Sequence, residues 1–254
     1  MNPIPRLPTW IRPAWAWIAL LSACTTSGQI FVFTPGLAVP DGTGSGLADR
    51  RTIVGAPTLA TVEVGLTLSG LGDGMVNGDL YVTLSHENAA GQVDAFAVLL
   101  NRPGKRSGND EGYFDSGLSI DLVAAYEAPD VHNYRMTLGG SHAVPLGGPL
   151  TGTWSADGRQ RDPELVLDTD PRTAGLEAFT GIDPNSGRWV LFVADLLQGG
   201  EARLDQWSLS FTAVPEPSAY SWIGGVVLVG WALVIRGNSL RQCNPTSGRD
   251  RRMR

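Results

Sequence analysis

Apolar and polar residues alternate with a period of two in several short segments of the chain. Because successive side chains of a strand point to opposite faces of a sheet, this alternation predicts strands with one buried face. The alternating segments are Thr61–Leu68, Asp79–Leu84, Leu118–Leu122, Arg188–Asp195 and Trp207–Phe211. Ile30–Phe33 is also typical of a strand, and the wholly apolar Ala95–Leu100 indicates a strand buried on both faces.

Turn-forming residues separate these segments. The chain has 32 glycines and 17 prolines, and pairs such as Asn77-Gly78 and the run Arg102-Pro-Gly104 favour turns because they supply positive or fixed φ angles. The longest helical pattern is short, Asp170–Phe179, with Asp170 placed to cap it and Pro171 at its first position. The pattern as a whole predicts an all-β fold, an antiparallel β-sandwich.

Charge narrows the partners of the central body, taken as residues 29–213. This stretch carries 11 basic and 23 acidic residues, a net charge of −12. Binding to nucleic acid or to anionic lipid needs a positive surface, so the composition argues against both. The two cysteines, Cys24 and Cys243, lie outside the body, so we expect a fold that rests on its core without a disulfide.

The N-terminal residues 1–28 have the order of an export signal. Arg6 and Arg12 precede the apolar run Ala14–Ala23, and small residues follow it. Two processing routes fit these residues. Cys24 closes a lipobox-like Leu-Ser-Ala-Cys and is a candidate for lipidation, or an ordinary signal peptidase cuts near Thr26-Ser27-Gly28. A second anchor at the C-terminus would make lipidation redundant, which favours the ordinary cut.

The C-terminal residues 214–254 begin with two prolines around a glutamate. Val214, Pro215, Glu216, Pro217 and Ser218 form this extended segment, because each proline restricts its own φ and the residue before it. An apolar stretch at about 219–235 follows, at the short end of what spans a bilayer. Arg236 ends it, and the arginines beyond it predict a cytoplasmic end by the positive-inside rule.

This order resembles the PEP-CTERM sorting signal. In that family an exosortase, a membrane transpeptidase-like enzyme, reads the signal and delivers the protein to the cell surface or its polysaccharide matrix. The resemblance implies that Pro215, Glu216 and Pro217 are the recognised residues and that the span anchors the protein in the membrane at least transiently. An ordinary single-span tail anchor behind a proline-rich linker is the alternative.

A second resemblance covers most of the body. Ala38–Gly42, Gly78–Leu84, Gly187–Asp195 and Leu204–Leu209 occur in the order found in the P domain (P/Homo B domain) of proprotein convertases and bacterial subtilisin-like peptidases. The resemblance implies a jelly-roll β-sandwich of the galactose-binding-like kind. In convertases this domain follows a catalytic domain and stabilises it.

The residues do not predict catalysis in this chain. A nucleophilic serine needs a base within hydrogen-bond reach and an oxyanion site. The histidines are His86, His132 and His142, and none lies in a peptidase-like motif. Ser141 adjoins His142, but adjacency in sequence is not the geometry of a triad, and we interpret the pair as a polar loop. We expect His86 to be a solvated residue at a strand end.

Calcium is the chemical hypothesis that the residues support best, because it binds carboxylate and carbonyl oxygens. Asp79 begins one predicted strand and Asp195 ends another, and such ends meet at one edge of an antiparallel pair. Loop residues Asp73, Asn77 and Asp115 are placed to reach this edge. The alternative is that these aspartates cap turns through their own backbone.

The combined prediction is an exported, non-enzymatic protein of the cell envelope or matrix. Its sandwich would bind an extracellular glycan or a protein through loops, and the segment Ser107–Gly148 offers Tyr113, Phe114, Tyr126 and Tyr134 for stacking on sugar. The alternative is an accessory domain that stabilises or targets a subtilisin-like serine endopeptidase encoded elsewhere.

Overall fold

The computed structural model describes residues 28–57, 59–72, 74–125, 127–137 and 148–213. Ten strands and one short helix lie in this part of the chain. The strands are β1 (Gln29–Phe33), β2 (Leu37–Ala38), β3 (Thr43–Arg51), β4 (Leu59–Leu71), β5 (Leu80–Glu87), β6 (Val93–Asn101), β7 (Leu118–Val123), β8 (Leu150–Ser155), β9 (Arg188–Asp195) and β10 (Glu201–Ala213). The helix, α1, spans Tyr134–Thr137.

The strands form two sheets, which confirms the all-β sandwich. One sheet has the order β1-β10-β4-β7-β8, with β2 pairing β10 beside it, and the other has the order β3-β9-β5-β6. Every strand pair is antiparallel except β7 and β8, which run parallel from Leu118↔Leu150 to Val123↔Ser155. The chain ends of the body meet on neighbouring strands, since Gln29 pairs with Phe211.

The core lies between the sheets and follows the predicted alternation. On β10, Trp207, Leu209 and Phe211 are fully buried while the residues between them are not. Trp189 of β9 packs against Phe211 of the opposite sheet with ring centroids 5.5 Å apart. Aromatic pairs at this spacing stabilise the fold beyond the burial of their large apolar area, so this pair helps to hold the two sheets together.

The predicted helix at Asp170–Phe179 is wrong. Only Leu176–Phe179 turns, as a 3-10 helix, and Gly175 before it is extended with φ −93° and ψ 178°. The Asp170 carboxylate accepts a hydrogen bond of 2.8 Å from the amide of Leu167, three residues earlier in the chain. The Asp170 side chain therefore stabilises the turn that precedes it and does not cap a helix that follows it. Such local hydrogen bonds to the backbone compete with helix formation.

Candidate functional site

Two carboxylates lie at one end of the four-stranded sheet, where β9 ends and β5 begins. Asp195 is the last residue of β9 and pairs with Leu80, the first residue of β5. Asp79 directly precedes Leu80, at the end of a 3-10 turn that starts at Asn77. The Asp79 carbonyl oxygen accepts a hydrogen bond of 3.0 Å from the Leu196 amide. The strand ends therefore bring Asp79 and Asp195 to the same edge.

Asp195 carries an ionisable group into the protein interior. Its side chain shares the inner face of β9 with the buried Val193, and its exposed fraction is 0%. Neither carboxylate oxygen has a hydrogen-bond partner among the described residues. Burial, followed by the negative charges of Asp79 and Asp41, raises the pKa of Asp195 to about 7. The Ala202 amide opposes this rise, without reaching hydrogen-bond geometry to either oxygen.

Asp79 is almost as deeply placed. It is 7% exposed, and burial raises its pKa to about 6, with the negative charges of Glu111 and Asp41 acting in the same direction. Arg102 opposes the rise, but its Nη2 lies 3.8 Å from Asp79 Oδ1. At that distance the guanidinium makes no hydrogen bond to the carboxylate. The edge therefore holds two carboxylates whose ionised forms are poorly compensated.

Arg102 is fixed at this edge by its backbone and its hydrogen bonds. Its φ is 49°, and among the described residues it is the non-glycine residue with a positive φ. It lies in the turn that Arg102-Pro-Gly104 predicts. Its Nε donates to the Gly78 carbonyl at 3.0 Å and its Nη2 to the Asp110 carbonyl at 2.8 Å. Burial lowers the pKa of Arg102. Backbone carbonyls, and no carboxylate, thus take the hydrogen bonds of this buried cation.

An open cavity of ≈ 460 Å³ lies at this end of the sheet, with Arg102 and Leu196 in its wall. Tyr81 and Phe192 also line it, and their rings meet edge to face with centroids 6.4 Å apart. Asp162, Pro163 and Glu164 also line it. Aromatic faces beside charged groups are the surfaces that bind polar ligands with apolar faces, and sugars are of this kind.

The loop residues proposed as further metal ligands, Asp73, Asn77 and Asp115, have different outcomes. Asp115 is fully buried, but its carboxylate accepts hydrogen bonds from the Tyr134 hydroxyl at 2.6 Å and from the Arg135 guanidinium. The Asp115 carbonyl oxygen accepts a hydrogen bond of 2.8 Å from the Asn77 amide, so this loop does reach the edge, but the Asp115 carboxylate is engaged by Tyr134 and Arg135. Asn77 donates its side-chain amide to the Gly117 carbonyl at 3.1 Å. Asp73 lies outside the described residues.

Both described histidines pair with aspartates. His86 is fully buried, its Nδ1 lies 2.6 Å from Asp94 Oδ1, and its ring meets Trp189 at a centroid distance of 5.0 Å. The expectation of a solvated His86 is wrong, because β6 on one side supplies the Asp94 carboxylate and β9 on the other supplies the Trp189 ring. His132 Nδ1 lies 2.6 Å from Asp130. Neither imidazole hydrogen-bonds a serine or threonine hydroxyl in the part of the chain that the structure describes.

The aromatic residues predicted for sugar stacking are mostly in the core. Tyr113 is 7% exposed and Tyr134 is fully buried, and their rings pack together at a centroid distance of 4.7 Å. Phe114 is 66% exposed. Tyr126 lies outside the described residues. The Tyr113–Tyr134 pair is therefore structural, which leaves exposed Phe114 and the two rings that line the cavity as aromatic groups a ligand can reach.

The terminal predictions fall outside the described residues. These are the export signal with Cys24, the loop with Ser141 and His142, and the whole segment 214–254 with its sorting motif, span and Arg236. Within the described ranges, no helix is long and apolar enough to cross a membrane. The same ranges contain no group of three histidine, cysteine, aspartate or glutamate side chains already spaced to hold a metal ion.

Sequence reasoning missed three contributors to this end of the sheet. Asp41 stands in the Pro40-Asp-Gly42 turn, and a turn aspartate gives no sign of which strand end it faces. Tyr81 and Phe192 occupy the outward positions of β5 and β9. An aromatic residue at the polar position of an alternating strand was the available signal, since that position normally faces solvent.

The fold and site together define an all-β, two-sheet sandwich with an acidic sheet end beside an open cavity. No family model matches the chain, and no curated protein matches it. Two solved structures from Aeromonas sobria show a remote likeness. A serine protease matches at 15% identity and a TM-score of 0.35, over 74% of this chain and 26% of its own. The same protease in complex with a chaperone matches at 15% identity and 0.32, over 75% and 27%.

The chain thus spans about a quarter of the length of the solved structures that it matches. At these TM-scores the match supports no conclusion about the activity or the partners of this chain.

Proposed function

We propose that this chain is an exported protein of the cell surface or matrix that an exosortase-type enzyme sorts. Its β-sandwich would be a non-catalytic module with a binding or structural role. The observation that carries the proposal is the order Pro215, Glu216, Pro217, apolar run and Arg236. A processing enzyme outside the membrane needs an extended, accessible segment, and the two prolines favour one. The basic end beyond the run favours retention on the cytoplasmic side.

The folded body is compatible with removal of both terminal segments. Strand β1 begins at Gln29 and β10 ends at Ala213, and the buried apolar residues of the described chain run from Val39 to Phe211. Because Gln29 and Phe211 are partners on adjacent strands, the two proposed cleavage points leave the sandwich at the same end. Cutting at either point removes no described core residue.

The sorting motif can be tested in the native cell by replacing Pro215, Glu216 and Pro217 with alanine together. We expect the variant to remain membrane-bound at its full length, because the processing enzyme loses the residues it reads. Thr212→Ala is the matched control, since Thr212 is exposed and lies just before the motif. If the triple variant reaches the surface or matrix in the same form and amount as Thr212→Ala, the proposal is wrong.

For the sandwich itself, an extracellular glycan is the proposed ligand, and the cavity beside Tyr81 and Phe192 is its proposed site. The two rings offer apolar faces, and Glu164, an exposed residue, offers a carboxylate for hydroxyls. We expect Phe192→Ala to abolish signals on a glycan array, because it removes half of the aromatic wall. Phe114→Ala removes an exposed aromatic ring elsewhere and should bind as the unaltered chain does. Equal loss in both variants, or in neither, would refute this site.

The second candidate function is that of an accessory domain that stabilises or targets a serine endopeptidase. It is favoured by the P-domain-like block Gly187–Asp195, which contains the central strand β9. It predicts that the protein co-purifies with a serine endopeptidase that an active-site-directed fluorophosphonate labels. A label on a separate, larger chain would support this candidate. A label on this chain itself, lost in Ser141→Ala, would instead contradict the non-catalytic assignment.

A further inference from the structure

The end of the four-stranded sheet has features of a cation-binding site. Asp195 is the clearest sign, because its side chain is wholly buried and both of its carboxylate oxygens lack a hydrogen-bond partner in the described chain. Buried carboxylates in proteins are normally paired or bound to metal. We propose that Asp79 and Asp195 bind one calcium ion here, with Asp41 closing the site from the rim.

Nearby protein groups do not already neutralise this edge. Arg102 is the positive group in contact, and its Nη2 is 3.8 Å from Asp79 Oδ1. The hydrogen bonds of its Nε and Nη2 go to the carbonyls of Gly78 and Asp110. A guanidinium held in this way cannot turn to Asp195. An ion that enters from solvent can bind both carboxylates without moving Arg102.

The third carboxylate belongs to a loop that already faces the site. The Asp41 side chain is exposed, and its Oδ2 lies 3.5 Å from the Gly199 amide in the connection between β9 and β10. Asp41 thus joins the start of β3 to the segment that follows Asp195. Burial is the main cause of the raised pKa of Asp79 and Asp195, and the negative charge of Asp41 adds to it in both cases.

The donor set selects the chemical class of the ion. Carboxylates at a sheet edge, with carbonyls and water to complete the shell, are hard oxygen ligands that calcium takes in flexible arrangements. A transition metal would favour imidazole or thiolate, and both described histidines are committed to Asp94 and Asp130. Because Asp41 must close onto the ion, we expect weak affinity, with a Kd of about 10⁻⁴–10⁻³ M, the range of weak calcium sites.

This inference does not depend on the sorting proposal, and thermal unfolding of the full chain in mild detergent tests it. At pH 7.5, calcium at about ten times the expected Kd should raise the midpoint by about 3–6 °C over EDTA, because a ligand of the folded state stabilises it. Magnesium at the same concentration should raise it less, since magnesium demands a more rigid octahedral shell.

Two variants and a control locate the effect. Asp195→Asn and Asp79→Asn should each lose the calcium response, while Asp168→Asn, which changes an exposed aspartate in another loop, should keep it. Asp195→Asn should also be at least as stable as the unaltered chain in EDTA, because it removes an unpaired buried charge. This second readout separates a lost ligand from a damaged fold.

The outcomes are distinct. A calcium-dependent rise in the unaltered chain that disappears in Asp195→Asn and persists in Asp168→Asn supports the site. An unaltered chain whose midpoint is the same in calcium and in EDTA overturns the proposal. A response that survives in both Asp79→Asn and Asp195→Asn places the ion elsewhere and overturns it equally.

Discussion

Asp195→Asn in EDTA should make the protein more stable above neutral pH and leave it almost unchanged near pH 4. The pKa of Asp195 rises from 3.8 to about 7 in the folded protein, so folding favours the protonated acid. Stability from this group is therefore complete below pH 3.8 and is lost as the pH rises towards 7. Asparagine has nearly the shape of the protonated acid and does not titrate, so it keeps that stability at every pH.

The size of the effect follows from the shift. A change of about 3 pKa units at about 1.4 kcal/mol each corresponds to about 4 kcal/mol. Relaxation around the charge and entry of water reduce such values, so we expect the variant to be more stable by about 2–4 kcal/mol at pH 8. Near pH 4 the difference should be below about 1 kcal/mol, because both side chains are then neutral.

Urea unfolding of the two proteins in EDTA at several pH values from 4 to 8 measures this difference. Titrating groups that do not interact with Asp195 are common to both chains and cancel, whereas the repulsion from Asp79 is already part of the Asp195 shift. Asp168→Asn serves as the control and should show no pH-dependent gain. A difference between Asp195→Asn and the unaltered chain that stays constant from pH 4 to 8 would refute the reasoning, because it would mean that folding does not shift the Asp195 pKa.

Two further predictions concern stability away from the carboxylate edge. Asp157→Ala should lower the free energy of unfolding in urea by about 3–5 kcal/mol, because it leaves the Arg159 guanidinium buried without its partner. Both side chains are 0% exposed, and Arg159 Nε lies 2.7 Å from Asp157 Oδ1. A loss below about 1 kcal/mol would contradict this. Gly187→Ala should destabilise more than Gly181→Ala. Both glycines have positive φ, 83° and 81°, but a Cβ at Gly187 would collide with the Glu87 carbonyl whereas Gly181 has open space. Equal losses would show that backbone strain alone decides.

The strands that the sequence predicts are those whose alternation reflects one buried face. Arg188–Asp195 has the predicted bounds as β9. Thr43–Arg51 escaped prediction because its sequence has two glycines and no regular alternation. It forms β3 by pairing with β9, and Gly46 is needed there because a Cβ would lie 2.7 Å from the Phe192 ring. Such a strand is specified by its neighbour more than by its own pattern.

The candidate site was predictable only as far as strand ends determine it. Asp79 and Asp195 meet because adjacent antiparallel strands begin and end together, which a sequence reader can infer. Their burial and the place of Arg102 depend on how the turn at Arg102 folds back over Gly78, which periodicity does not encode. The error on His86 has the same origin, since its partner Asp94 comes from the next strand.

The most direct test of the proposed function is the intact mass of the mature protein isolated from its native cell surface. The account predicts a chain that begins near Gln29 and ends close to Pro215–Pro217, with both terminal segments removed. A tail that still runs to Arg254, or a lipid on Cys24, would contradict it. Either result would make the sandwich a permanently membrane-tethered domain and would direct the search for its partner to the membrane.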